Sequence, residues 1–159
     1  MKIKWKRCLN TQNYKKQSLF LGCCYCDWKC CRENNLPESN CWNNELYKLR
    51  IRDVPNWKLF NLYNQYDNKA IVIGGFEPFL QFDEIKSLIV YFRNNGCNDE
   101  FVIYTGYYAK EIADKIEELK QYGNIIIKFG RFIPNSKGHY EPLLGIKLSS
   151  PNQYAEKIC

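Results

Sequence analysis

Ala70-Ile-Val-Ile-Gly74-Gly75-Phe76-Glu77-Pro78, the segment Asp83 to Gly96, and Glu100-Phe-Val-Ile-Tyr-Thr105 together decide the reading of this chain. The first piece is apolar on both faces, as a strand covered on both sides must be. The second places Ile85, Leu88, Ile89 and Phe92 at helical spacing behind Asp83, a suitable cap, and stops at Asn94-Asn95-Gly96. The third is another apolar strand, ended by Gly106. Strand, helix and strand in that order predict parallel pairing with a crossover helix.

Working outward, the same pattern continues. Ala109 to Tyr122 has helical periodicity through Ile112, Ile116 and Leu119 and stops at Gly123, and Asn124-Ile-Ile-Ile-Lys-Phe129 is the next strand. Upstream, Gln17 to Gly22 is a short apolar strand, Asn43 to Arg50 a helical turn or two, and Trp57, Phe60, Leu62 and Tyr63 mark an amphipathic helix closing near Asp67-Asn68. Gly145-Ile-Lys-Leu148 is a weaker strand. The expected fold is a single α/β domain over residues 1–159, an open parallel sheet or a partial (βα) barrel. A closed eight-fold barrel needs ~250 residues. Ligands of such sheets bind at the carboxyl ends of the strands. The glycines at 22, 74, 75, 106 and 130 all fall there.

Composition narrows the class. The chain is 45% hydrophobic and 16% aromatic, too apolar for a disordered protein. No apolar stretch approaches the ~20 residues of a membrane helix, and no apolar h-region follows the basic start, so a cytoplasmic setting without membrane contact is expected. The net charge of +6 draws on Lys2, Lys4, Lys6, Arg7, Lys15 and Lys16. The helical stretches carry mixed signs, which reads as solubility charge more than as a nucleic-acid surface.

Seven of the nine cysteines lie at or before Cys41: Cys8, Cys23, Cys24, Cys26, Cys30, Cys31 and Cys41. Clustered cysteines in a reducing compartment point to a metal site rather than to disulfides. A structural zinc site prefers two close pairs; Cys23-x2-Cys26 makes one, and Cys41 has no near partner. A set of three, Cys26-x3-Cys30 followed by Cys41, suits an iron–sulfur cluster with one iron left open. Cys23, Cys24 and Cys31 are neighbours that could substitute. The cluster loop runs from about residue 22 to 45.

With these residues in view, the chain resembles the radical S-adenosylmethionine family, and within it the short proteins that activate anaerobic ribonucleotide reductase. The resemblance runs from about Ser18 to Lys157. It rests on Ser18-Leu-Phe-Leu-Gly with the cysteine loop, Gly74-Gly75-Phe76-Glu77-Pro78, Val102-Ile-Tyr-Thr105-Gly106-Tyr107, Ile127-Lys-Phe-Gly130-Arg-Phe, and Ser149-Ser150-Pro-Asn152-Gln153. Three departures stand out. Glu33 lies where a third cysteine is usual, so the second gap is widened to reach Cys41-Trp-Asn-Asn-Glu. Phe76 stands where a second glycine would. Phe129 stands for an aspartate.

The resemblance implies a [4Fe-4S] cluster on Cys26, Cys30 and Cys41, with the fourth iron open to S-adenosyl-L-methionine. It implies that Gly74, Gly75, Phe76 and Glu77 meet the methionine end, with Thr105 and the Asn152-Gln153 segment contributing to the pocket. The implied reaction is reductive cleavage to a 5′-deoxyadenosyl radical, which makes a glycyl radical on a large partner, an anaerobic ribonucleotide reductase. A flavodoxin or ferredoxin would supply the electron, and nucleic acid is not an expected partner. The alternatives are a non-catalytic zinc or iron–sulfur module contacting nucleic acid or protein, and a radical enzyme with another target. His139 reads as a solvated loop residue. Trp5 and Trp57 read as core residues, and Trp28 and Trp42, beside ligand candidates, as covers that keep water from the cluster.

Overall fold

The computed structural model describes residues 1–4, the backbone of 9–10, and 13–159. Trp5, Lys6, Arg7 and Cys8 lie outside the described residues. In chain order the elements are β1 (Lys2–Lys4), β2 (Leu9–Asn10), β3 (Ser18–Cys23), α1 (Lys29–Arg32), α2 (Asn44–Tyr47), β4 (Ile51–Asp53) and α3 (Asn56–Gln65). These are followed by β5 (Ala70–Gly75), α4 (Phe82–Asn94), β6 (Glu100–Tyr104), α5 (Ala113–Lys120), β7 (Ile125–Phe129), β8 (His139–Glu141), β9 (Ile146–Leu148) and β10 (Tyr154–Lys157).

The sheet runs β10-β7-β6-β5-β3-β1-β4, with β2 paired to β3. Its centre, β3-β5-β6-β7, is parallel as expected. The margins are antiparallel, through β10 on one side and β1 and β4 on the other. The sheet is therefore open, and the barrel alternative gives way to it. Alternation along the buried strands splits the core in two. Leu19, Leu21, Ile71, Ile73, Phe101, Ile103, Ile125 and Ile127 face α3, α4 and α5. Ala70, Val72, Val102 and Ile126 face Tyr14, Leu144 and Leu148. Helices cover one face, and the β8-β9 hairpin with its turn covers the other.

Several expectations change in detail. The inner face of α4 is Ile85, Leu88, Ile89 and Phe92 as read, but Asp83 lies in its first turn. A short 3₁₀ helix at Pro78–Gln81 precedes it, capped by the Glu77 side chain. The helix expected over Ala109 to Tyr122 is a 3₁₀ turn at Ala109–Glu111 followed by α5. Trp57 is 54% exposed and α3 buries Leu59 and Tyr63 instead. The weak strand at Gly145 to Leu148 pairs in a hairpin with β8, which places His139 on a strand opposite Leu148 rather than in a loop. Among the described residues no helix is long and apolar enough to cross a membrane.

Candidate iron–sulfur site

Parallel register brings four chain reversals to one end of the sheet: Cys23 lies beside Gly75, and Tyr104 beside Lys128. A cavity of about 390 Å³ opens there. The cysteine loop borders it with Cys26, Cys30, Cys31 and Cys41, and the strand ends border it with Gly75, Phe76, Glu77, Thr105 and Gly106. Ile146 to Ser149 of the hairpin form a further wall. The cavity therefore lies at the carboxyl ends of the parallel strands.

The loop is built by its own hydrogen bonds. Trp28, in the left-handed region at φ 59°, caps the start of α1, the helix that carries Cys30. The Trp28 N–H donates to Cys26 Sγ at 3.3 Å, and the Asn43 N–H donates to Cys41 Sγ at 3.4 Å. The Phe132 backbone N–H favours the Cys30 thiolate and so works against the rise that burial imposes on that thiol. Burial pushes the Cys26 thiol up to about 12, the Trp28 N–H works against this, and nearby Cys41 adds to it. Burial likewise raises Cys30 and Cys41, and Cys41 senses Cys30 and Cys31. Such thiols ionise readily only when a metal supplies positive charge, so metal uptake releases protons. Backbone N–H groups aimed at sulfur are also a lever on cluster potential. Among the described residues no three His, Cys, Asp or Glu side chains gather as ligands of a single ion.

The other cysteines are placed differently. Cys23 is fully buried in the helix-side core. Cys24 is buried, and its N–H donates to Gln81 Oε1 at 2.6 Å. Cys97 precedes β6 and Cys159 follows β10, both at the end of the sheet away from the cavity. Cys31 borders the cavity beside Cys30, but successive helical side chains point about 100° apart, so the two cannot face one centre in the same way.

Glu33 has a structural role where the resemblance would have a cysteine. Its carboxylate accepts from Arg131 Nε and Nη2, both at 2.9 Å. Arg131, 3% exposed, also donates to both Glu111 oxygens at 2.8 Å and to Gly106 O, and lies 5.1 Å from the Tyr108 ring. The position where the resemblance would have a cysteine thus clasps α1 to the ends of β6 and β7. The Arg131 guanidinium holds Glu111 down to about 2. This contribution is present above the ordinary glutamate value and lost as pH falls toward about 2. Acid unfolding of the metal-free chain, followed by circular dichroism, should therefore show a step in that window that Arg131→Met removes.

Glu77 is buried and serves the frame. Oε1 accepts from Thr105 Oγ1 at 2.7 Å and the Phe79 N–H at 3.1 Å, and Oε2 accepts from the Gly106 N–H at 2.9 Å. Burial raises its pKa while these donors oppose the rise. Gly75, at φ 86°, makes the turn, and its carbonyl accepts from Asn43 Nδ2 at 2.5 Å, tying the Cys41 loop to β5. Gly74 sits beneath Phe20 and Tyr104: a Cβ there would stand 3.4 and 3.3 Å from those side chains. Phe76 packs edge-on against Trp28 at 5.3 Å. Trp28 is thereby a packed cover, whereas Trp42 remains 70% exposed beside Phe132 and covers little. Phe129, in place of an aspartate, turns to the helix-side core against Tyr154.

Gln153 borders the cavity, and its Oε1 accepts the Ser149 and Ser150 N–H groups, both at 3.1 Å. Asn152 instead donates to Arg131 O and the Tyr108 hydroxyl. Sequence reasoning passed over Arg131 and Lys128. Lys128 carried a signal, a lone charge inside an apolar strand. Arg131 carried none, because both its acids are remote in sequence.

A cavity walled by thiols that receive backbone N–H bonds, at the carboxyl ends of parallel strands, defines a cluster-binding α/β protein. The model of the family described as 4Fe-4S single cluster domain matches residues 11–153, almost the whole chain. The chain belongs to that family and is an iron–sulfur protein. Comparisons with curated proteins and with solved structures return no match.

Proposed function

We propose that the chain is a radical S-adenosylmethionine protein that generates a glycyl radical on an anaerobic ribonucleotide reductase. The observation that carries this reading is the meeting of Cys26, Cys30 and Cys41 with the Gly75-Phe76-Glu77 turn around one cavity. The donor set fits a [4Fe-4S] cluster. Cys26, Cys30 and Cys41, two of which accept a backbone N–H, would hold three irons and leave one open. A cluster so held supplies, when bound, the electron that cleaves S-adenosyl-L-methionine to methionine and a 5′-deoxyadenosyl radical.

The remaining work falls to the chain. Gly106 keeps space beside Cys30, since a Cβ there would stand 3.0 Å from Cys30 Sγ. Gly75, Phe76 and Glu77, which border the cavity, would meet the methionine end, and Thr105 holds Glu77 in place. Gly74 acts through packing, by admitting Phe20 and Tyr104 as the floor. Trp28 and Phe76 exclude water on the loop side. The target glycine lies on a partner, and a small one-electron carrier such as flavodoxin or ferredoxin serves as reductant.

The test is anaerobic. The protein is loaded with iron and sulfide and reduced, and its paramagnetic resonance spectrum is recorded with and without S-adenosylmethionine while 5′-deoxyadenosine is assayed. A spectrum that shifts on adding the cofactor, with deoxyadenosine formed, is expected. A cluster indifferent to the cofactor would overturn the radical assignment and leave an iron–sulfur module.

A further inference from the structure

Lys128 is the one cation in β7, a strand buried from end to end. It points to the cavity side of the sheet and is 8% exposed. Its Nζ donates to Gly130 O at 3.1 Å and Thr105 O at 3.4 Å. Among the described residues its ammonium forms no ion pair with a carboxylate. The ionisable groups that act on it are Cys30 and Glu77. Glu77 is already held by three donors.

Burying an ammonium without a close counter-ion is costly, and a methionine of similar length would avoid that cost. A charge kept at that cost matters where negative charge arrives. A cluster on three thiolates is anionic, and one-electron reduction adds a further negative charge in the cavity that Lys128 borders. Nearby charge is one lever on cluster potential. We infer that Lys128 is the counter-charge of this cavity, stabilising the reduced cluster and so raising its reduction potential. The inference rests on the ligand set proposed above and is independent of S-adenosylmethionine.

The test compares wild type with Lys128→Met, Lys128→Gln and Lys128→Arg, each loaded anaerobically and assayed for iron and sulfide. Dithionite supplies the electron in a potentiometric titration without S-adenosylmethionine, read by the resonance signal of the reduced cluster. In the two neutral variants the reduced-to-oxidised ratio at a fixed potential should fall about tenfold, equivalent to ~59 mV for one electron. Lys128→Arg should stay within about threefold of wild type, well inside that one-electron interval. A loaded neutral variant with the wild-type potential overturns the inference, as does an arginine variant shifted as far as the neutral ones. Loading lost in both neutral variants and kept in Lys128→Arg supports it. Loading lost in all three overturns it, because packing then decides. Failure of S-adenosylmethionine to alter the spectrum would sink the function proposed above and leave this titration unaffected.

Discussion

Alanine at Cys26, Cys30 or Cys41 should each abolish the cluster, while alanine at Cys8, Cys31 or Cys159 should leave it. Losing a group that merely supports a ligand already lowers metal affinity about 10–100-fold, so losing a ligand should cut bound iron by at least ~tenfold. Cys41 is the sharpest case, because ten residues separate it from Cys30. Its place is set by the Asn43 N–H at its sulfur and by the Asn43 side chain on Gly75 O. Iron and sulfide analysis with the visible spectrum of the anaerobically loaded variants reads the outcome. Circular dichroism of the metal-free variants checks that the fold survives. A full cluster in Cys41→Ala, or its loss in Cys31→Ala, would replace Cys41 by Cys31 in the ligand set.

Glu77→Ala should have the next largest effect, on both stability and cofactor binding. It strands the Gly106 and Phe79 N–H groups beneath the cavity and frees the Thr105 hydroxyl. Unsatisfied buried donors cost ~1–3 kcal/mol each, so a loss on the order of 3 kcal/mol is expected in chemical denaturation of the metal-free chain. Glu77→Gln should not rescue it fully, because backbone N–H groups meet both carboxylate oxygens and an amide can accept at only one. In the loaded protein, affinity for S-adenosylmethionine by equilibrium dialysis should fall at least ~tenfold, about 1.4 kcal/mol, while the iron content holds. Unchanged affinity would confine Glu77 to a framework role.

The parallel centre of the sheet was legible because its signals are local. The apolar runs of β3, β5, β6 and β7 and the periodicity of α4 lie within single elements, and burial on both faces follows from composition. The antiparallel margins were not legible. β1 and β4 are three residues long, and every residue of β4 is exposed, so neither carries alternation. The hairpin over the second face also gave little sign, since β9 alternates only weakly and its partner begins at the chain's one histidine.

The same division holds within the site. Cysteine spacing and the glycine turns placed a cysteine loop at the carboxyl ends of the strands, because the spacing of cysteines along a loop is a property of the chain itself. Only the tertiary structure decided what surrounds them. Glu33 meets Arg131 across 98 residues, Glu77 meets Thr105 across 28, and the register of β7 brings Lys128 to the cavity that Cys30 also borders. Contacts of that span leave no period in the sequence; they form only once the backbone has brought the groups to one wall, where buried polar groups take hydrogen bonds.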